Sequence, residues 1–508
     1  MRNVVWLPLV LAFACTKHNP EACCSTADQC SSYGLSGITA CEGTQVCNAT
    51  GACVAPQCTT NADCTDSTMP LCVNQICVAP QCTTNADCTD QTMPFCENDV
   101  CVAACGSDAD CTMAGMPYCM TSGACVACLD DSACSGNTPV CDGSANTCRG
   151  CVADTECTSG VCLESNGTCA DAASIVYVRD DGSDVGDCTA TSPCLTLPYA
   201  FSKFSPKNVV KILSGSYSVA GTVPVEVSGF IEGSMTTLSG GGSGGVFEVD
   251  GLNVTISNMT IVATGSLPMA ANVKAGLLTL YGVTLESNIE VDGGQLEVDR
   301  STLQNVNCGQ NGSASEGGIV ELSRSGMIAV AATGCTVTLE QNTIDQTSQP
   351  NNAPMITLSG GKYTVENNVV VSNNSFTDPV SLFSAPDGSV FRFNTLVNLS
   401  GENQTATSLS CDGTATAVTD NIIAWNSSAQ PQCATTYTLY DQFESLPPGT
   451  GNQVGSASAF FTNIANKDFH LATGSPAIGA AAPGTCIPND HDGNPRGSAC
   501  DVGAFEAP

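Results

Sequence analysis

The stretch Val254-Thr-Ile256-Ser-Asn258-Met-Thr-Ile261 alternates apolar and small polar residues and closes on an aliphatic anchor, and the pattern returns six more times. It reads Leu278-Thr-Leu280-Tyr-Gly282-Val-Thr-Leu285, then Leu296-Glu-Val298-Asp-Arg300-Ser-Thr-Leu303, then Val337-Thr-Leu339-Glu-Gln-Asn342-Thr-Ile344. Tyr363-Thr-Val365-Glu-Asn-Asn368-Val-Val370, Phe391-Arg-Phe393-Asn394-Thr-Leu396 and Val418-Thr-Asp-Asn421-Ile-Ile423 complete the series. Successive final anchors lie 24, 18, 41, 26, 26 and 27 residues apart, and the interval of 41 holds two coils because Ile319-Val320-Glu-Leu322 supplies a strand between them. Alternation at period two means strands with one buried face. A repeat of roughly 20 to 30 residues means that each coil stacks only on its neighbours. The two together predict an all-β solenoid, a parallel β-helix. Asn258, Asn342, Asn368, Asn394 and Asn421 are expected to share one corner of the coils, where equivalent residues about 4.8 Å apart form an inward amide ladder.

Composition changes sharply near residue 170, which divides the 508 residues into more than one domain: 27 of the 35 cysteines precede that point and 8 follow it. Lysine and arginine number 14 against 48 acidic residues, a net charge of −34, and Arg149 is the only Lys or Arg between residues 18 and 170. Such a chain lacks the basic stripe that nucleic acid requires. At the start, Arg2 precedes an apolar run from Val4 to Ala14 that is too short to span a bilayer and reads as a secretion signal. No later apolar run approaches about 20 residues, so no transmembrane helix is expected. The cysteine density calls for an oxidising, exported location.

Ala12-Phe-Ala14 directly before Cys15 resembles the lipobox of bacterial lipoproteins, in which the cysteine is acylated and becomes the mature N-terminus. The resemblance implies a lipoprotein-type signal over residues 1–14, lipidation of Cys15, and a lipid anchor in the bacterial outer membrane. The alternative is an ordinary cleaved signal and an extracellular protein.

In residues 18–170 the sequence Val-Ala-Pro-Gln-Cys-Thr-Thr-Asn-Ala-Asp-Cys-Thr-Asp occurs at 54–66 and again at 78–90. Cysteines fall in quartets: Cys58/Cys64/Cys72/Cys77, Cys82/Cys88/Cys96/Cys101, Cys105/Cys111/Cys119/Cys125, Cys128/Cys134/Cys141/Cys148 and Cys151/Cys157/Cys162/Cys169, after a looser Cys24/Cys30/Cys47/Cys53. With Cys15 lipidated, 26 cysteines remain in the arm, six quartets plus Cys23 and Cys41. A module of about 23 residues has too few large apolar side chains for a core, so two disulfides must stabilise it, each by about 2–4 kcal/mol. Four cysteines allow three pairings. Zinc is disfavoured, since no histidine follows at ligand spacing. Asp63, Asp87, Asp110 and Glu156, each just before a second cysteine, read as caps of their own turns. The arm resembles the tandem four-cysteine modules of secreted bacterial proteins, which implies a stalk.

From residue 175 the order Tyr177-Val-Arg-Asp-Asp-Gly-Ser-Asp184, Pro193-Cys194-Leu-Thr-Leu197 and Val210-Lys-Ile212-Leu-Ser-Gly215-Ser-Tyr217 resembles the N-terminal cap of pectate-lyase-type right-handed parallel β-helix proteins, with a short helix expected over 199–206. The end reads Asn466-Lys-Asp468-Phe469-His470-Leu471, Gly474-Ser-Pro-Ala-Ile478-Gly, Asp490-His-Asp492-Gly493-Asn-Pro-Arg496 and Asp501-Val-Gly503-Ala-Phe-Glu506. It resembles the terminal signature of the choice-of-anchor Q family of bacterial surface proteins. The β-helix is thus placed at 175–450 and its end segment at 451–508. Proximity pairs Cys188 with Cys194, Cys308 with Cys335, Cys411 with Cys433, and Cys486 with Cys500.

Enzymes of the resembled fold use Arg or Lys with calcium-bound carboxylates, or paired carboxylates on the coil surface. The candidates here are Glu286, Glu290, Asp292, Glu297, Asp299 and Arg300, on two adjacent coils. Asp490 and Asp492, beside His470 and His491, are the candidates for structural calcium; no other cofactor is indicated. No Asp-Asp pair, cationic cleft or aromatic sugar platform stands out, so the sequence reads as a non-catalytic surface protein for adhesion or carbohydrate binding, with a polysaccharide or another cell surface as partner. A polysaccharide lyase or glycoside hydrolase is the alternative.

Overall fold

The computed structural model describes most of the chain from residue 104 to residue 507, apart from short surface segments, together with isolated stretches between residues 46 and 102. Residues 1–45, and with them the signal and Cys15, lie outside the described residues. The chain divides into two compact units, Met1–Ala133 with Cys141–Cys148, and Cys134–Val140 with Arg149–Pro508. Among the described residues no helix is long and apolar enough to cross a membrane.

In the first unit the modules are short antiparallel hairpins, Leu71–Val73 with Ile76–Val78, Phe95–Glu97 with Val100–Val102, and Tyr118–Cys119 with Cys125–Val126. Disulfides join first to third and second to fourth cysteines: Cys58–Cys72, Cys64–Cys77, Cys82–Cys96, Cys105–Cys119 and Cys111–Cys125. Cys88 is also disulfide-bonded, while the side chain of Cys101 lies outside the described residues. Asp110 accepts from the backbone N–H groups of Gly106 and Ser107 at 2.9 and 2.8 Å, the turn-capping role its spacing predicts.

The second unit is built on a parallel β-helix. Its strands form one 14-stranded, one 9-stranded and one 7-stranded sheet, paired in parallel coil by coil. A typical coil runs from Thr336–Glu340 in the first sheet through the two-residue corner Gln341-Asn342 to Thr343–Asp345 in the third, then by a loop to Ile356–Ser359 in the second. The alternation predicted from sequence holds: Ile256, Leu280, Val298, Leu322, Leu339, Val365, Phe391 and Val418 form one in-register column pointing inward, each at most 3% exposed. Each such side chain contributes about 1.5–3 kcal/mol by leaving water, and this repeats with every coil.

At the corner between the first and third sheets one residue per coil is left-handed: Asn258, Gly282, Arg300, Arg324, Gln341, Asn367, Phe393, Asp420 and Tyr437. A single αL residue turns the chain sharply. The amide ladder sits one residue further on. There Ser301 and Ser325 Oγ accept from the N–H of Val283 and Ser301 at 3.1 and 3.0 Å, and Asn342, Asn368, Asn394 and Asn421 Oδ1 accept from the N–H of Ser325, Asn342, Asn368 and Asn394 at 2.9–3.1 Å. Asn258 does not belong to it. It occupies the αL column, which small amides tolerate, and donates to Glu232 instead.

The capping helix is Leu197–Phe201, shorter than the expected 199–206 and set earlier because the Thr196 hydroxyl caps it. Packing extends the unit back to residue 149, across the composition change at 170. Val161, Leu163 and Ala170 of the last cysteine module pack on Ile175 and Val209, on the outer face of the first sheet, with Tyr177 and Phe230 at the rim. The module, cross-linked Cys151–Cys162 and Cys157–Cys169, also covers charge. Asp154 lies 2.7 Å from the ammonium of Lys211, which is 3% exposed. Glu232, beside Lys211 in the next strand, is 1% exposed and accepts from Ser257 Oγ and from Asn258 Nδ2. Burial outweighs these bonds and Lys211 and pushes its carboxyl up to about 7.

The end segment packs along the side of the solenoid. Phe460, Phe461, Phe469, Leu471, Val502 and Phe505 cover the outward side chains of the third sheet, among them Val371, Val397, Ile422 and Leu439. The Asp-His-Asp-Gly-Asn-Pro-Arg motif supplies the fastening. Arg496, with a fully buried side chain, lies 4.6 Å over the Phe393 ring and donates to Asn367 Oδ1, Gly503 O and Glu506 Oε2. Gly503 comes so close that a Cβ there would meet Ile422 Cδ1 at 2.6 Å. All four β-helix disulfides suggested by proximity are formed.

Candidate functional site

The six charged residues that cluster in sequence are divided among three faces. Asn288–Val291 belongs to the second sheet, so Glu290 points outward there, with Asp292 just past the strand end. Glu286 is exposed after the short strand Thr284–Leu285. Glu297 and Asp299 stand on the first sheet, and Arg300 is its αL corner. A strand and a corner only a few residues long separate groups that sequence distance places together, so the expected single cluster does not form.

What the first sheet does assemble comes from neighbouring coils. Parallel register stacks Tyr281, Asp299 and Ser323 in one outward column and Thr279, Glu297 and Glu321 in the next. Arg324, the αL corner of the following coil, grips Asp299 with both arms of its guanidinium, Nε to Oδ1 at 2.7 Å and Nη2 to Oδ2 at 2.5 Å, and Ser323 Oγ adds a bond of 3.1 Å. Arg300 donates to the Tyr281 hydroxyl at 2.8 Å with its guanidinium 5.6 Å from the ring centroid. Gln295 Nε2 donates to Glu297 Oε1 at 2.8 Å. The result is a polar strip on a rigid sheet, with acceptors fixed by neighbours, guanidinium donors at its edge and one aromatic ring. Tyr281 and Arg324 were missed as site residues, yet the coil period places each beside Asp299.

Asp490 and Asp492 do not converge on one centre. Asp490 is fully buried and accepts from the N–H groups of Asp492, Asn494 and Glu506 and from Asn494 Nδ2, so its oxygens organise the turn. Asp492 instead bonds His470 Nε2 at 2.7 Å, while Asp468 bonds Nδ1 at 2.6 Å. Burial alone would lower the imidazole's affinity for a proton, but the two carboxylates outweigh it and raise His470 above its ordinary value. His491 is partly buried and donates through Nδ1 to Asn367 O at 2.9 Å. Both histidines flank Phe505, with ring centroids 4.5 and 5.1 Å away, which ties them to the docking of the end segment.

No family model matches the chain, and no curated protein matches it. Among solved structures it is similar to the crystal structure of pectate lyase Pel9A, with 14% sequence identity and a TM-score of 0.39, over 66% of this chain and 96% of that one. The β-helix assignment rests on the strand ladders described above.

Proposed function

We propose that this is an exported bacterial surface protein whose β-helix binds carbohydrate without cleaving it, held at the outer membrane by a lipid on Cys15 and displayed on the disulfide-rich arm. The observation that carries the reading is the strip around Tyr281, Asp299, Arg300 and Arg324. Its charged groups are spent on one another in fixed geometry, which suits recognition of hydroxyl groups and leaves the Asp299 carboxylate engaged by Arg324. Coils repeat at about 4.8 Å, close to the length of one sugar unit in an extended chain, so successive units of a polymer can meet equivalent rows. The net charge of −34 disfavours uronate or sulfated polymers and favours neutral or amino-sugar ones.

Affinity electrophoresis of the secreted chain through neutral, amino-sugar and acidic polysaccharides tests this. Retardation by a neutral or amino-sugar polymer is expected, and Tyr281→Ala or Arg300→Ala should weaken it about tenfold, the loss of one central contact. Release of reducing or unsaturated sugars would instead establish the lyase or hydrolase alternative.

A further inference from the structure

The outer face of the second sheet carries a second group of charges, which the binding strip does not use. Parallel register places Glu248, Asn272, Glu290 and Asn307 in one outward column. Just past the ends of these strands, in the bends that follow them, come Asp250, Lys274 and Asp292. Lys274 Nζ lies 2.9 Å from Glu248 Oε2 and is also held by the charges of Asp250 and Asp292. Four carboxylates against one ammonium leave this patch at −3.

An acidic patch alone is a solvated surface; Asn272 makes this one different. It points outward between two glutamates, yet it is only 8% exposed, and its Oδ1 has no hydrogen-bond partner among the described residues. A buried carbonyl oxygen without a donor is destabilising, and its column neighbours Glu248 and Glu290 offer only acceptors when ionised. Glu290 is itself half-buried, with one oxygen taken by Asn307 Nδ2 at 2.7 Å. Burial raises its carboxyl above the usual range, against that bond. A neutral carbonyl between Glu248 and Glu290, with Asp250 and Asp292 just past the strand ends, suits a hard cation with oxygen ligands.

We propose that the outer face of the second sheet binds a calcium ion between adjacent coils, through Asn272 Oδ1 and Glu290 with Asp292 and Glu248 completing the negative charge. Lys274 is then the resident cation that calcium must displace from Glu248. Side chains on a rigid sheet and the competing ammonium place the affinity in the weak range of extracellular sites, a Kd of about 10⁻⁴–10⁻³ M.

Isothermal titration of the full chain with calcium chloride, after chelator treatment, tests the site. Asn272→Leu and Glu290→Gln should each bind one equivalent less than the parent protein, a difference that calcium sites elsewhere in the chain do not affect. Asn272→Asp keeps an oxygen at the same place and should retain the equivalent. Lys274→Met should tighten it several-fold, which a purely structural role for these residues does not predict. Equal melting temperatures of parent and variants in chelator establish that the variants fold. The proposal is overturned if the parent binds no calcium, or if Asn272→Leu and Glu290→Gln bind as many ions as the parent.

Discussion

Asn394→Ala should destabilise the β-helix by about 3 kcal/mol or more, a large loss for a single polar side chain. Asn394 is fully buried and serves three coils at once. Its Oδ1 accepts from both the backbone N–H and the Nδ2 of Asn368, and its own Nδ2 donates to Val365 O, Arg392 O and Asn421 Oδ1. Truncation strands the Asn368 N–H and two or more acceptors where Asn368, also fully buried, admits no water. Each orphaned group costs about 1–3 kcal/mol, and the small cavity adds to that. Asn253→Ala, at an exposed position of the same fold, should change stability by less than about 0.5 kcal/mol. Because coils interact mainly with their neighbours, the loss is best read by hydrogen exchange. Faster exchange over 363–423 with the N-terminal coils unchanged is expected, and parent-like protection there would show that the ladder is ornamental.

The second large effect is a fall in stability between about pH 4.5 and pH 7, centred on Glu232. Its carboxyl rises from 4.5 to about 7 on folding. Across that window the folded state holds a proton that the unfolded state has lost. The contribution of Glu232 is therefore fully present below about 4.5, falls as pH rises to about 7 and is flat beyond, with a total of about 3 kcal/mol for a shift of this size. The raised carboxyls of Glu290, Asp420 and Asp441 act in the same direction. Glu232 lies beside Lys211, which Asp154 holds, so the loss should appear first as opening of residues 151–169 over the first coils. Hydrogen exchange at pH 5 and pH 7.5 measures it. Glu232→Gln should remove most of the pH dependence of protection in this region, and an unchanged dependence in the variant would assign it to other groups.

The solenoid was legible because its stability comes from side chains that repeat with the coil, and repetition is what a sequence displays most openly. The ladder was legible in part. Asn342, Asn368, Asn394 and Asn421 each stand two residues before their final anchor, whereas Asn258 stands three before Ile261. That one-residue difference moves Asn258 to the αL corner, where Asn is favoured for its backbone freedom. The charged cluster misled for a related reason. Glu290, Glu297 and Arg300 are near in sequence, but the chain turns between them, while Tyr281, Asp299 and Arg324 are brought together by pairing across coils. Lys211 reads as an outward residue of a half-buried strand. Its burial depends on a cysteine module folding back over the sheet, which no local pattern records.

The most direct test of the binding surface is a hydrogen-exchange footprint of the full chain with the polysaccharide that retards it most in electrophoresis. Added protection should fall on Gly276–Tyr281, Gln295–Asp299 and Ile319–Ser323 and on the corners at Arg300 and Arg324, be lost in Arg300→Ala, and come with no new sugar products. Protection confined to other faces, or sugar products accumulating in step with protein concentration, would contradict a non-catalytic binding strip on the first sheet.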